Sequence, residues 1–143
     1  MTQFIPVAPG FSVAPQLKAE DFAAAGRAGF KLIVNNRPDG EAPDQLAGAA
    51  AAAAAASAGL AYQAIPVSGQ PNAAAIDAMA AALDNAEGPL LSYCRSGTRS
   101  ITLWALAEAQ RKKRAPDDLI ALAKAAGYDL SRLKPTLDAL AQG

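Results

Sequence analysis

The chain has one cysteine, and it stands in the run Cys94-Arg95-Ser96-Gly97-Thr98-Arg99-Ser100. These residue types in this order suit thiolate chemistry. The backbone N–H groups of residues 95 to 99 can curl into a nest for an anion, and a helix beginning near Ser100 would add the positive end of its dipole. Arg95 and Arg99 bring two formal charges with no carboxylate beside them in the sequence, so the Cys94 thiol is expected to ionise below its free value of about 8.5. That would make it a nucleophile at neutral pH. Arg99 can present two parallel donors to an oxyanion, Ser100 can hydrogen-bond the sulfur or the bound group, and Arg95, Ser96, Gly97 and Thr98 would line the substrate side. An isolated cysteine is more often a small buried hydrophobe, and Arg95 also reads as a solvated surface charge. The glycine and two arginines in one tight turn favour the reactive reading.

Composition narrows the chemistry further. The chain has no histidine, which excludes a Ser-His-Asp triad, a Cys-His dyad and a His-ligated zinc, and a lone cysteine excludes an intramolecular disulfide. No metal or cofactor is expected. Thirteen Lys+Arg balance thirteen Asp+Glu for a formal charge of +0, so no global field draws nucleic acid or an anionic membrane. The basic cluster Arg111 to Arg114 reads as a solvated helix end that complements the macrodipole. At 143 residues the chain is expected to form a single domain over 1–143. Although 52% of residues are hydrophobic, 38 are alanines, leaving roughly half of the apolar set larger than alanine, enough for one core. Met1-Thr2-Gln3-Phe4 lacks a signal-peptide pattern, and no run reaches the ~18 strongly apolar residues of a membrane span. A soluble, cytoplasmic location is the expectation.

The elements that must position the cysteine follow from pattern. Phe11 to Ala14, stopped by Pro15, reads as a short edge strand, and Lys18 to Ala25 as a helix ending near Gly26 or Gly29. Phe30 to Asn35 is β-branched and apolar, a buried strand, followed by a loop through Arg37-Pro38-Asp39-Gly40-Glu41. Asp44 is expected to cap an alanine-rich helix running to about Ser57. Leu60 to Val67 is the next strand, and Asn72 caps a helix whose apolar face is Ile76, Met79, Ala80 and Leu83. Leu90 to Tyr93 is a buried strand, with helices at Ile101 to Gln110, Asp117 to Ala126 and Ser131 to Ala141. Trp104 should pin the post-cysteine helix to the sheet. Alternating strands and helices predict an α/β three-layer sandwich with a mostly parallel central sheet, whose ligands sit beyond the strands' carboxyl ends. The loops after Asn35, Val67 and Tyr93 are expected to share one cleft.

At these residues the sequence resembles known families. Cys94 to Ser100 is similar to the active-site loop of single-domain rhodaneses and to the signature of cysteine-dependent phosphatases. The wider set, Gln16, Ile33 to Glu41, Ile65-Pro66-Val67, Tyr93 to Ser100, Leu103 to Leu106 and Ala126-Gly127-Tyr128-Asp129, resembles the phosphatase-like domain of beta-lactamase-hydrolase-like proteins. The resemblance runs from about Phe11 to Leu130. It implies a tyrosine or dual-specificity phosphatase-like α/β fold, and some relatives are fused to or encoded with sulfide-oxidation enzymes.

Two departures from the phosphatase pattern bear on chemistry. Four residues, not five, separate Cys94 from Arg99, as in rhodanese loops. The cradle is one amide shorter, which favours a persulfide over a bulkier cysteinyl-phosphate. After Ile65-Pro66-Val67, where dual-specificity phosphatases commonly carry an aspartic acid, stand Ser68-Gly69-Gln70. Phosphomonoester cleavage gains about 10²- to 10⁴-fold from a positioned acid, whereas sulfite and thiolates leave unaided. Asp39 and Glu41 are candidate replacement acids or plain turn residues, and Arg37 either adds positive potential to the cleft or caps a strand end. The leading expectation is a sulfurtransferase that moves sulfane sulfur from thiosulfate or a persulfide through Cys94 to an acceptor thiol or a redox protein. The alternatives are a phosphatase working through a phosphocysteine, with Asp39 as acid, and a non-catalytic sensor of anions or persulfides.

Overall fold

The computed structural model describes residues 2–143; Met1, which heads the segment lacking a leader pattern, lies outside them. Five four-residue strands, β1 Ile5–Ala8, β2 Phe11–Ala14, β3 Leu32–Asn35, β4 Ala61–Ala64 and β5 Leu90–Tyr93, form one sheet in the order β1-β2-β5-β3-β4. Only the β1–β2 pair is antiparallel; β2–β5, β5–β3 and β3–β4 are parallel. The helices are α1 Ala19–Arg27, α2 Gly48–Ser57, α3 Ala73–Asn85, α4 Thr98–Arg111, α5 Pro116–Ala125 and α6 Lys134–Gln142, the last preceded by a 3₁₀ turn at Ser131–Leu133. This is the expected three-layer α/β arrangement.

Side chains alternate across the sheet with the period of two that strands impose. Val13, Val34 and Leu90 point into a core shared with Met79 of α3, Leu103 of α4, Leu119 of α5 and Leu137 of α6. Their neighbours Ala14, Ile33, Leu91 and Tyr93 point to the opposite core, against Phe22 of α1 and Ala51 and Ala55 of α2. The alanine-rich helix therefore does a packing job: its small buried face lies close to its neighbours, and a Cβ added at Gly26 of α1 would stand 2.9 Å from the Ala58 carbonyl. Trp104 stacks on Phe11 with ring centroids 5.0 Å apart, pinning α4 to β2 as expected.

Two expectations need correction. Phe11–Ala14 is not an edge strand but lies between β1 and β5 and is buried throughout. The edge is β1, whose Pro6 lacks the N–H that an interior strand would use. Asp44 does not cap α2, which starts four residues later with Ala47 as the N-cap residue. By contrast Asn72 caps α3 as expected, its side chain accepting from Ala75 N at 2.8 Å. In the basic cluster at the end of α4, Lys112 and Lys113 are exposed as expected, while Arg111 binds Asp84 and Glu108 and Arg114 lies 3.8 Å from Glu108. Among the described residues no helix is long and apolar enough to cross a membrane.

Candidate active site

Because β2, β5, β3 and β4 are parallel, their carboxyl ends open on one edge of the sheet, and the loops after them meet there. Cys94 leaves the central strand β5 fully buried, its N–H directed to the Ala14 carbonyl of β2. The chain then turns sharply through Gly97, whose φ of 93° is left-handed, and enters α4 at Thr98. The Gly97 N–H donates to Cys94 Sγ at 3.1 Å. This bond places the sulfur against the N-terminus of α4.

The remaining loop donors are divided. Thr98 N–H reaches Ser96 Oγ at 3.4 Å and Ser96 Oγ donates to Thr98 Oγ1 at 3.0 Å, so these two exposed side chains brace the turn. Arg95 is exposed and its carbonyl ties the loop to Gln16 N. The N–H groups of Arg95, Ser96, Arg99 and Ser100 have no acceptor among the described residues. They are the donors free to receive an oxyanion. Ser100 is buried in the first turn of α4, but its hydroxyl has no hydrogen-bond partner, so the expected Ser100–sulfur bond is not formed.

Arg99 differs most from expectation. Its fork of two donors is taken by Glu41: Nη1 lies 2.7 Å from Oε2 and Nη2 2.8 Å from Oε1, while Nη1 also donates to the Val67 carbonyl at 2.9 Å. Arg37 stands behind, nearly buried, its Nε on Glu41 Oε1 at 3.1 Å and its Nη1 on Gln16 Oε1 at 3.1 Å. Arg37 thus lines the cleft as the second anchor of Glu41. The Arg99 guanidinium, helped by Arg37 against the opposing effect of desolvation, holds the Glu41 carboxyl down at about 2. Reciprocally, Arg99 is held above its ordinary value chiefly by Glu41, with a smaller contribution from the Cys94 sulfur.

Asp39, the other candidate acid, has a partner of its own. Asp39 Oδ1 accepts from Gly48 N at 2.8 Å, which makes it the cap that α2 lacks locally. The structure thus places Asp39 at the start of α2 and Glu41, the other candidate acid, at Arg99. Asn35 and Asn36 stitch the same loop down: Asn35 Oδ1 accepts from Arg37 N at 2.9 Å, and Asn36 Nδ2 donates to the Ile65 carbonyl at 2.9 Å. Two further residues came from the sequence without a role. Gln16 steadies Arg37, and Tyr128, just past α5, donates from its hydroxyl to the Ser96 carbonyl at 2.8 Å. A groove of about 910 Å³ opens beside the loop between Gln16, Lys18, Arg37, Glu41, Gln45 and Arg95.

Residues 3–111 match the family described as beta-lactamase hydrolase-like protein, phosphatase-like domain. A beta-lactamase hydrolase-like protein from Xylella fastidiosa is 38% identical over 122 residues, 85% of this chain but 28% of that protein, so the chain spans little more than a quarter of such relatives. Among solved structures, a candidate phosphatase from Neisseria meningitidis superposes with a TM-score of 0.82 at 29% identity, covering 96% of this chain and 97% of that one. A mouse candidate dual specificity phosphatase, solved with zinc tungstate, shares the fold with a TM-score of 0.65 at 22% identity, over 97% and 86% of the two chains. The fold is that of the cysteine-dependent phosphatases, and the chain belongs to the phosphatase-like domain family of beta-lactamase hydrolase-like proteins.

Proposed function

We propose that Cys94 is the nucleophile of a thiolate-dependent group transfer and that the group it carries is a sulfane sulfur. In the first half-reaction the Cys94 thiolate attacks the outer sulfur of thiosulfate; the new S–S bond forms as the S–S bond of the donor breaks, and sulfite leaves with the electron pair. In the second, an acceptor thiolate attacks the terminal sulfur of the Cys94 persulfide and releases Cys94 as thiolate. No external oxidant or acid is required. A low-molecular-weight persulfide serves equally as donor.

One observation carries this reading: Glu41, the carboxylate that meets Arg99 beside the cysteine turn, is committed, as are two of its neighbours. Glu41 is held ionised by Arg99 and Arg37, Asp39 caps α2, and Asp129 accepts from Ser131 N and Oγ at 2.9 and 2.6 Å. A phosphomonoesterase would want one of them protonated and aimed at its leaving group. Full burial of the sulfur and the four-residue spacing to Arg99 also suit a single-atom adduct.

Phosphatase action is the second reading, and the comparisons favour it more directly, since the family is described as phosphatase-like and the Neisseria relative as a candidate phosphatase. The two readings predict different intermediates. Intact-mass measurement after incubation with thiosulfate is expected to show one added sulfur atom on wild type and none on Cys94→Ser. An unmodified Cys94 together with rapid turnover of an aryl phosphate reverses the order.

A further inference from the structure

The peptide between Ser96 and Gly97 is held at both ends. Its carbonyl accepts from the Tyr128 hydroxyl at 2.8 Å, and its N–H donates to Cys94 Sγ at 3.1 Å. In a trans peptide these two groups point in opposite directions, so a single orientation of the plane satisfies both bonds. The plane needs such a hold. Gly97 sits at φ 93°, and glycine moves between positive and negative φ at little cost, so rotation of this peptide is sterically open. A flip would bring the Ser96 carbonyl toward the sulfur in place of a donor, setting oxygen lone pairs against a thiolate.

Tyr128 is itself well fixed. Its N–H donates to the Ala123 carbonyl at 2.9 Å, Gly127 ends α5 in a left-handed conformation with its N–H on Lys124 O, and the ring packs on the core shared by α4 and α5. Its hydroxyl covers Gly97 so closely that a Cβ there would collide with it. Burial, and then the charge of Cys94, hold this phenol above its ordinary value, so it stays a donor through the neutral range.

We propose that Tyr128 is a positioning residue for the Cys94 thiolate: through its bond to Ser96 O it locks the Ser96–Gly97 peptide with the N–H turned to the sulfur. The bond also polarises the peptide, which strengthens the N–H as a donor. The groups that bear on the sulfur are the Gly97 N–H and Arg99 from the cysteine loop and α4, with Glu41 of the β3–α2 loop behind Arg99, and Tyr128 from the turn after α5. Tyr128 makes no hydrogen bond to the sulfur or to Arg99, and acts through one peptide.

The proposal rests on Cys94 being the reactive thiolate, but not on whether sulfur or phosphoryl is transferred. Its test is the rate of Cys94 alkylation by iodoacetamide as a function of pH in the full chain, wild type against Tyr128→Phe, since the chain has no other cysteine. With one hydrogen bond's worth of thiolate stabilisation removed, the variant is expected to react about fivefold more slowly near neutrality and to reach the same limiting rate in alkali, its midpoint moved upward. The Gly97 amide proton resonance should shift while those of mid-α4 stay in place. A loss that is merely structural would lower the limiting rate as well. If Tyr128→Phe does not fold, wild type labelled with 3-fluorotyrosine, a stronger donor, is expected to react faster near neutrality; an unchanged rate overturns the proposal. A reactive wild type with an identical Tyr128→Phe profile overturns the peptide lock alone. A wild type inert at every pH until unfolded overturns the nucleophile itself, and the lock with it.

Discussion

Glu41→Gln isolates what the Arg99 fork does. In the fold Glu41 accepts two bonds from Arg99 at 2.7 and 2.8 Å and one from Arg37 at 3.1 Å. The glutamine keeps the shape and one acceptor oxygen but loses the charge. Lowering a carboxyl from 4.5 to about 2 corresponds to about 3 kcal/mol if solvent did not screen the pair. The side chains of Arg99 and Glu41 are 22% and 30% exposed, so screening reduces the contribution to about 1 kcal/mol. The sign with pH follows from a folded value below the unfolded one. The contribution is complete above 4.5, where the unfolded carboxyl is also ionised, and is lost as pH falls from there through about 2. Urea unfolding of wild type and Glu41→Gln should therefore differ by about 1 kcal/mol near neutrality, and the gap should close progressively in acid. A gap that persists unchanged at the lowest pH would refute the charge argument and leave only packing. Transfer activity should fall about tenfold as Arg99 loses its fixed orientation; a variant with full activity would mean that Glu41 merely occupies Arg99 rather than aiming it.

Further expectations test neighbouring parts. Asp39→Ala should cost about 1 kcal/mol in thermal or urea unfolding, the usual worth of a helix cap, with kcat retained; loss of kcat with unchanged stability would restore Asp39 to the chemistry. Gly97→Ala forces a side chain into a left-handed position already covered by Tyr128, so circular dichroism melts should show a loss of about 2 kcal/mol or more and Cys94 alkylation should slow; a neutral substitution would mean the turn is far looser than described.

The cysteine turn was legible in the sequence because its determinants are consecutive. A strand exit, a left-handed glycine and a helix start within seven residues leave the backbone little choice, and the Gly97 N–H on the sulfur follows from that local geometry. Strand order was less accessible: β1 carries Pro6 and no clear alternation, so nothing in four residues announces that it pairs with β2 and moves the edge outward. Alanine repetition hid the start of α2, because a run of one residue type offers propensity without a boundary.

The direction of Arg99 was hidden for a different reason, one that also bears on how the site works. Its partner Glu41 is 58 positions away, brought near only because β3 and β5 are parallel neighbours with Asn35 beside Tyr93. Charges close in sequence suggest that both arginines serve the anion; the fold instead spends the Arg99 fork on a carboxylate of its own. Glu41 already offers Arg99 the planar pair of oxygens that a substrate oxyanion would offer. An incoming anion must therefore share Arg99 through its two remaining N–H groups, displace Glu41, or rely on the Arg95, Ser96, Arg99 and Ser100 amides. The third route leaves the Arg99–Glu41 pair undisturbed and asks for a small group, which agrees with the proposed transfer of a single atom.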